Sequence, residues 1–160
     1  MLRIIDYQAV EPISRVNNNN PITIPQSPKK LVLATIRLMI PRRDAHKNRV
    51  ELIATVGVRG ITGTSQLLFK IFRDGKEIFR TQAGVESDPA SEVNYTVTFQ
   101  SIESNLGQGT HTFRVTVENI TPGTEAAVVG PISFSGLAIA IEQERDHDKD
   151  HSRDRDRESS

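Results

Sequence analysis

Four histidines are the side chains in this sequence best suited to catalysis or metal binding, because imidazole serves as a general base or metal ligand near neutral pH. They are His46, His111, His147 and His151. His46 lies in the basic segment PRRDAHKNR (41–49), with no carboxylate in a defined geometry to orient it as a base. His111 opens a strand-like segment. We therefore expect His46 to be an exposed loop residue and His111 to lie at the rim of a sheet.

His147 and His151 have a spacing that resembles a metal-binding clip, since they lie four residues apart with Asp148 and Asp150 between them. A structural metal site also needs surrounding side chains that fix the orientation of its ligands. The segment 142–160 contains no apolar residue that could provide this support. We therefore predict a solvated tail there, with no metal site and no cofactor.

Other catalytic signatures are missing from the sequence. The chain has no cysteine, which excludes thiolate chemistry and disulfides. The glycine-bearing segment RGITGT (59–64) lacks the spacing of a phosphate-binding loop, and no GxSxG motif is present. The sequons at Asn94 and Asn119 are interpreted as chance matches, because no export signal accompanies them. The sequence therefore predicts a protein that is not an enzyme.

The charge balance argues against nucleic acid and membrane partners. Lysine plus arginine and aspartate plus glutamate both number 20, so no net field attracts a polyanion. Aromatic residues are scarce, with six Phe, two Tyr and no Trp, which disfavours base stacking. No apolar stretch is long enough for a transmembrane helix or a secretory signal, so we expect synthesis in the cytoplasm without a signal peptide.

The elements that would position any functional residue are β-strands. Apolar residues alternate with polar ones, or form short apolar runs, in six segments: 31–40, 49–58, 66–82, 93–100, 111–119 and 126–141. Asp74-Gly75 divides the third segment and favours a type I′ hairpin turn. Gly130-Pro131 predicts a bend that divides the last segment into two strands. This pattern, with turn residues between short strands, predicts an all-β fold: a single antiparallel β-sandwich that is jelly-roll-like.

Composition divides the chain into three parts. Residues 1–30 are predicted to be a flexible N-terminal arm and a Pro/Asn-rich linker, residues 31–141 the β-sandwich domain, and residues 142–160 a disordered charged tail. The arm begins with a strand-like apolar segment, and a run of four asparagines (17–20) follows it. Such a segment can add as a strand to the sheet edge of a neighbouring molecule. The candidate assembly strand comprises Leu2, Ile4, Ile5 and Tyr7. The alternatives are that the segment packs onto its own sandwich or remains free.

Three stretches resemble the exosporium protein C family of Bacillus-type spore formers: RIIDYQAVEPIS (3–14), the segment 49–81, and AAVVGPISFSGLAIA (126–140). The resemblance covers most of residues 1–141. It implies a non-enzymatic protein of the spore surface, the exosporium, that is deposited without export. Its partners would be further copies of itself, as a homo-oligomer, or other spore-surface proteins. The family carries no functional residues that transfer to this sequence.

Two classes of function follow from the sequence. The first is a structural or assembly subunit of a spore outer layer or surface fibre, joined by strand addition. A variant of it is a closed trimer resembling tumour-necrosis-factor-like domains, packed through apolar residues exposed on one sheet. The second is a jelly-roll module that binds carbohydrate or protein, although the lack of Trp disfavours sugar stacking.

Overall fold

The computed structural model describes residues 2–90 and 93–141. Within them the chain forms a 3-10 turn at Arg42–Asp44 and nine β-strands. The strands are β1 (Leu2–Ile13), β2 (Ile22–Thr23), β3 (Leu31–Ile40), β4 (Asn48–Thr62), β5 (Thr64–Arg73), β6 (Lys76–Glu86), β7 (Asn94–Ser104), β8 (Gly109–Asn119) and β9 (Glu125–Ile141). The charged segment that we predict to be a disordered tail lies outside the described residues.

The strands form two antiparallel sheets that pack as a sandwich. The first sheet has the order β1-β9-β4-β7, with the short β2 also paired to β9, and the second has the order β3-β8-β5-β6. Strands that follow one another in sequence mostly lie in opposite sheets. The eight long strands therefore have the arrangement of a jelly roll, and β2 is an additional short strand. The predicted all-β, jelly-roll-like sandwich is confirmed.

The period-two pattern places the core between the sheets. In β4 the inward residues Leu52, Ala54 and Val56 are buried, and β8 contributes Phe113 and Val115 from the facing sheet. Side chains alternate between the two faces of a strand, so every second residue of these segments enters the core. Apolar burial of this kind is the dominant favourable term in folding, and here it fixes which face of each sheet remains outside.

The hairpin between β5 and β6 follows the sequence prediction. Asp74 and Gly75 connect the two strands and both have positive φ, at 50° and 84°. A type I′ turn requires positive φ at both central residues, and glycine accepts it without steric cost.

The predicted division of the last segment at Gly130-Pro131 is wrong, because β9 runs unbroken from Glu125 to Ile141. The irregularity there is a bulge: Val56 pairs with Ile132, whereas Val58 pairs with Val128. The bulge brings the two backbones very close together. A Cβ atom added to Gly57 would lie 1.8 Å from the carbonyl oxygen of Gly130, so only glycine fits. Pairing on both sides of the bulge keeps the strand continuous.

The N-terminal segment is not a flexible arm in this structure, and that prediction is wrong. Residues Leu2–Ile13 form β1, which pairs antiparallel with β9 and is the edge strand of the first sheet. Ile24, in the predicted linker, is a buried core residue. The physical reason is that β9 would otherwise present an unpaired edge along an apolar core, and β1 satisfies its backbone groups.

Two buried asparagines fasten the loops at the ends of the sandwich. Asn48 donates from Nδ2 to the carbonyl oxygens of Asp44 (2.8 Å) and Leu106 (2.9 Å), and its Oδ1 accepts from the Leu106 N–H (3.0 Å). At the opposite end Asn119 donates to Thr124 Oγ1 (3.1 Å), and its backbone pairs with Pro25. These bonds hold the loops against the sheets, so the outer faces of the sheets are well-defined surfaces.

Candidate assembly face

The outward surface of the first sheet carries a group of large apolar side chains that are exposed to solvent. We call this surface the outer face. Its exposed members, with the accessible fraction of each residue, are Leu2 (66%), Ile4 (67%), Tyr7 (58%), Ile53 (43%), Ile102 (59%) and Ile141 (39%). Each exposes on the order of 100 Å², so together they approach the size at which an apolar patch marks an interaction site.

Strand register shows that this group is continuous. Leu2 pairs with Ile141, and Tyr7 pairs with Leu137 on β9. Ile53 of β4 lies diagonal to Leu137, because its direct partner on β9 is Ser135. Ile102 of β7 is the diagonal neighbour of Ile53 in the same way. Cross-strand and diagonal neighbours lie within side-chain reach, so the apolar surface extends across all four long strands of the sheet.

A register shift in β1 separates the residues predicted from sequence. Pairing with β9 is interrupted between Ile4 and Asp6, so Ile5 lies at a bulge. Ile5 is partly buried and packs against the core, whereas Leu2, Ile4 and Tyr7 point outward. Three of the four candidate residues therefore share one exposed surface, and the fourth anchors β1 to its own sandwich.

Two opposite charges lie within the outer face. Arg49 and Glu51 are two residues apart on β4 and pair with Ile139 and Leu137 of β9, which places both on the outward side. Glu51 is also the cross-strand partner of Ile102. Both side chains are partly buried. A face that carries one cation and one anion side by side is complementary to a second copy of itself turned by 180°.

Sequence reasoning missed the contributions of β4, β7 and β9 to this face. From Arg49 to Thr55 in β4, and in β7, the outward positions are otherwise polar, so Ile53 and Ile102 are apolar residues in the wrong phase of the alternation. That departure from the alternating pattern was the available signal. In β9, apolar residues occupy both phases, so the sequence alone could not assign Leu137, Ile139 and Ile141 to one side.

Both histidines in the part of the chain that the structure describes, His46 and His111, lie beside Gly107. His46 is exposed, as expected for a loop residue. His111 is partly buried, with Nδ1 2.9 Å from Asp74 Oδ2 and Nε2 2.8 Å from the Gly107 carbonyl oxygen. Burial alone would raise the pKa of Asp74, but hydrogen bonds from the Thr112 N–H and His111 lower it below its usual value. This cluster joins two loops.

The remaining chemical candidates stay apart from one another. Among residues 2–90 and 93–141, no three His, Cys, Asp or Glu side chains are grouped as metal ligands, and no helix is long and apolar enough to cross a membrane. His147 and His151 lie outside this part of the chain. Of the two sequons, Asn94 is exposed, whereas Asn119 is fully buried in its hydrogen-bond network.

The fold of this chain is similar to parts of several solved structures, although the sequence identity is low. No family model and no curated protein matches the sequence. The insecticidal delta-endotoxin Cry8Ea1 from Bacillus thuringiensis aligns over 77% of this chain and 20% of its own, with 14% identity and a TM-score of 0.40. The structure of infectious bursal disease virus, Gt strain, aligns over 88% and 38%, with 10% identity and a TM-score of 0.49. The VP2 subviral particle of infectious bursal disease virus aligns over 88% and 33%, with 8% identity and a TM-score of 0.44. The chain spans between a fifth and two fifths of these matched chains.

Proposed function

We propose that this protein is a non-enzymatic structural subunit that assembles with copies of itself through the outer face. The observation that carries this proposal is the continuous apolar surface across β1, β9, β4 and β7. On an isolated molecule that surface remains in contact with water. Burying it would release about 25 cal/mol for each Å² of apolar area.

The chemistry of the outer face indicates that a second copy of the protein covers it, and not the chain's own tail. The segment 142–160 follows Ile141 in the sequence, but it contains no apolar residue that could replace water on the outer face. A second copy supplies an apolar surface of the same shape and extent. It also supplies the opposite charges, because a two-fold axis near Val50 brings Arg49 of one copy to Glu51 of the other.

The geometry of sheet packing suits this arrangement. Two sheets pack face to face about 10 Å apart, with their side chains interdigitating. The six exposed side chains and the residues around them approach the roughly 800 Å² per partner that a stable interface buries. The proposed contact is therefore a sandwich on a sandwich, and β1 remains paired with its own β9.

Strand exchange is the competing mode of assembly, in which β1 leaves its own sheet and pairs with β9 of a neighbour. A cross-link distinguishes the two modes cleanly because the chain has no native cysteine. Ala9 and Ser135 are cross-strand partners in β1 and β9. The variant carrying Ala9→Cys and Ser135→Cys can therefore lock β1 to its own sheet by a disulfide.

The locked monomer should assemble as well as its reduced form when both are followed by sedimentation. Assembly that occurs only after reduction would contradict packing through the outer face and establish strand exchange instead. A protein that stays monomeric in both states, as well as without the substitutions, would refute self-assembly altogether.

For the location of the assembly, we propose the outer layer of a spore. The support is the resemblance of residues 3–14, 49–81 and 126–140 to the exosporium protein C family. Immunogold labelling of spore sections from the source organism tests this part separately. Label over the outermost layer is the expected result, and label confined to the cell interior would contradict it. The assembly test does not depend on that outcome.

A further inference from the structure

The opposite side of the sandwich carries a pocket that the assembly proposal does not use. It has a volume of about 450 Å³ and lies on the outward surface of the second sheet. Its lining residues are Lys30, Val32, Phe72, Asp74, Gly75, Thr112, Arg114 and Thr116. A pocket of this size, open to solvent, accommodates a small molecule.

Two cations flank an aromatic ring in this pocket. The Lys30 Nζ lies 5.8 Å from the centre of the Phe72 ring. Arg114 is the cross-strand partner of Phe72 on β8, and it is an exposed residue. Within residues 2–90 and 93–141, neither cation is bound to a carboxylate.

The one carboxylate that lines the pocket is already occupied. Asp74 Oδ1 accepts a hydrogen bond from the Thr112 N–H (2.8 Å), and its Oδ2 lies 2.9 Å from His111 Nδ1. The charged groups of the pocket that still have unused binding capacity are therefore the two cations, and they lie beside the apolar Val32 and Phe72. This combination suits a ligand with an anionic group and an apolar or ring-shaped body.

A buried hydroxyl group belongs to one of the lining residues of the pocket. Thr116 is only 4% exposed, and its Oγ1 has no hydrogen-bond partner. Its cross-strand neighbour Lys70 is held by Glu118 (2.9 Å) and Glu77 (3.5 Å). Buried hydroxyl groups are almost always hydrogen-bonded, and the described residues supply no partner for this one.

We infer that this pocket binds a small organic acid with a ring-shaped body, such as an acidic sugar. Its carboxylate would lie between Lys30 and Arg114, and its body would rest on Val32 and Phe72. Arginine pairs well with a carboxylate because its guanidinium offers two parallel N–H donors. The site lies on the sheet opposite the outer face, so it remains open in the assembled protein.

The test is a titration of the full-length ¹⁵N-labelled protein with three probes, followed by amide chemical shifts. Glucuronate carries both the carboxylate and the ring, inorganic phosphate carries only the anionic charge, and glucose carries only the ring. We expect glucuronate to shift the amides of β8 around Arg114 with the lowest dissociation constant. Phosphate should bind more weakly at the same amides, and glucose should leave them unchanged.

Variants separate the groups in the pocket. Arg114→Gln should weaken glucuronate binding at least about tenfold, because it removes a charged hydrogen-bond donor. Arg80→Gln is the matched control. Arg80 lies on the same sheet but is bound to Glu77 (2.9 Å) and does not line the pocket. The inference fails if glucuronate does not bind, if glucose binds equally well, or if Arg114→Gln and Arg80→Gln have equal effects.

Discussion

Replacing Ile102 by lysine should separate assembly from folding. Ile102 is 59% exposed, and its direct cross-strand partner is Glu51. In the monomer the new ammonium group would lie opposite a carboxylate, and such a cross-strand pair contributes roughly 0.2–1 kcal/mol of stability. In the assembled protein the same charge would enter an apolar interface. The variant should therefore fold as well as the wild type and assemble poorly.

The size of the effect follows from the area that Ile102 contributes. Full burial of an isoleucine side chain contributes about 1.5–3 kcal/mol, so the exposed 59% is equivalent to about 1–2 kcal/mol. A two-fold interface contains this residue twice, which gives about 2–4 kcal/mol. Each 1.4 kcal/mol is a factor of ten in the dissociation constant, so the loss should be at least about 30-fold.

Sedimentation over a range of concentrations measures the dissociation constant, and thermal unfolding checks the fold. Met39→Lys is the matched control, because Met39 is also 59% exposed but lies on β3 of the second sheet. It should assemble like the wild type. The reasoning would be refuted if Ile102→Lys kept the wild-type constant while remaining folded. An equal loss in Met39→Lys would also refute it, because the effect would not then be specific to the outer face.

Three further predictions concern stability, each measured by denaturant unfolding. Gly57→Ala should cost at least about 3 kcal/mol of stability or prevent folding, because the added Cβ would lie 1.8 Å from a backbone carbonyl oxygen. Gly107→Ala is the control, since a Cβ added there would lie 3.7 Å from its nearest neighbour, and it should change stability by less than about 1 kcal/mol. Equal effects of the two substitutions would contradict this account of the bulge. Asn48→Ala should cost about 2–3 kcal/mol, because it leaves backbone groups without partners in a fully buried site; a change below about 0.5 kcal/mol would contradict its role in fastening the loops. Burial alone would raise the pKa of Glu118, but hydrogen bonding and the charge of Lys70 lower that pKa below its ordinary value of 4.5. The contribution of this carboxylate to stability is therefore fully present above pH 4.5, and it is lost as the pH falls through the lower pKa of the folded state. Glu118→Gln should therefore lose about 1–3 kcal/mol at pH 7 and flatten the acid side of the stability curve, and an unchanged acid side would show that this carboxylate does not contribute there.

Much of the fold could be predicted from the sequence because its strands obey a strict local rule. Apolar residues fall on every second position from Tyr95 to Phe99 in β7 and from Phe113 to Val117 in β8, and Asp74-Gly75 supplies the turn chemistry that a tight hairpin needs. The N-terminal strand could not be placed in this way. Whether Leu2–Ile13 pairs with β9 depends on an edge formed by residues more than a hundred positions away, and local patterning does not encode that partner.

The candidate site was only partly predictable for a related reason. Leu2, Ile4 and Tyr7 could be recognised in the sequence because they form an apolar segment that is followed by the polar asparagine run 17–20. Ile53 and Ile102 are single apolar residues within regular strands, and only the pairing of β4 with β7 and β9 brings them together. The bulge that turns Ile5 inward depends on register, which a single sequence does not specify.

A charge exchange across the proposed two-fold axis tests self-assembly through the outer face most directly. Arg49→Glu makes both charges of the face negative, and Glu51→Arg makes both positive, so each variant repels its own copies. Mixing the two variants restores an attraction at both contacts. We predict that each variant alone sediments as a monomer and that the equimolar mixture forms a heterodimer. Wild-type assembly by either variant alone, or a mixture that remains monomeric, would contradict packing through this face.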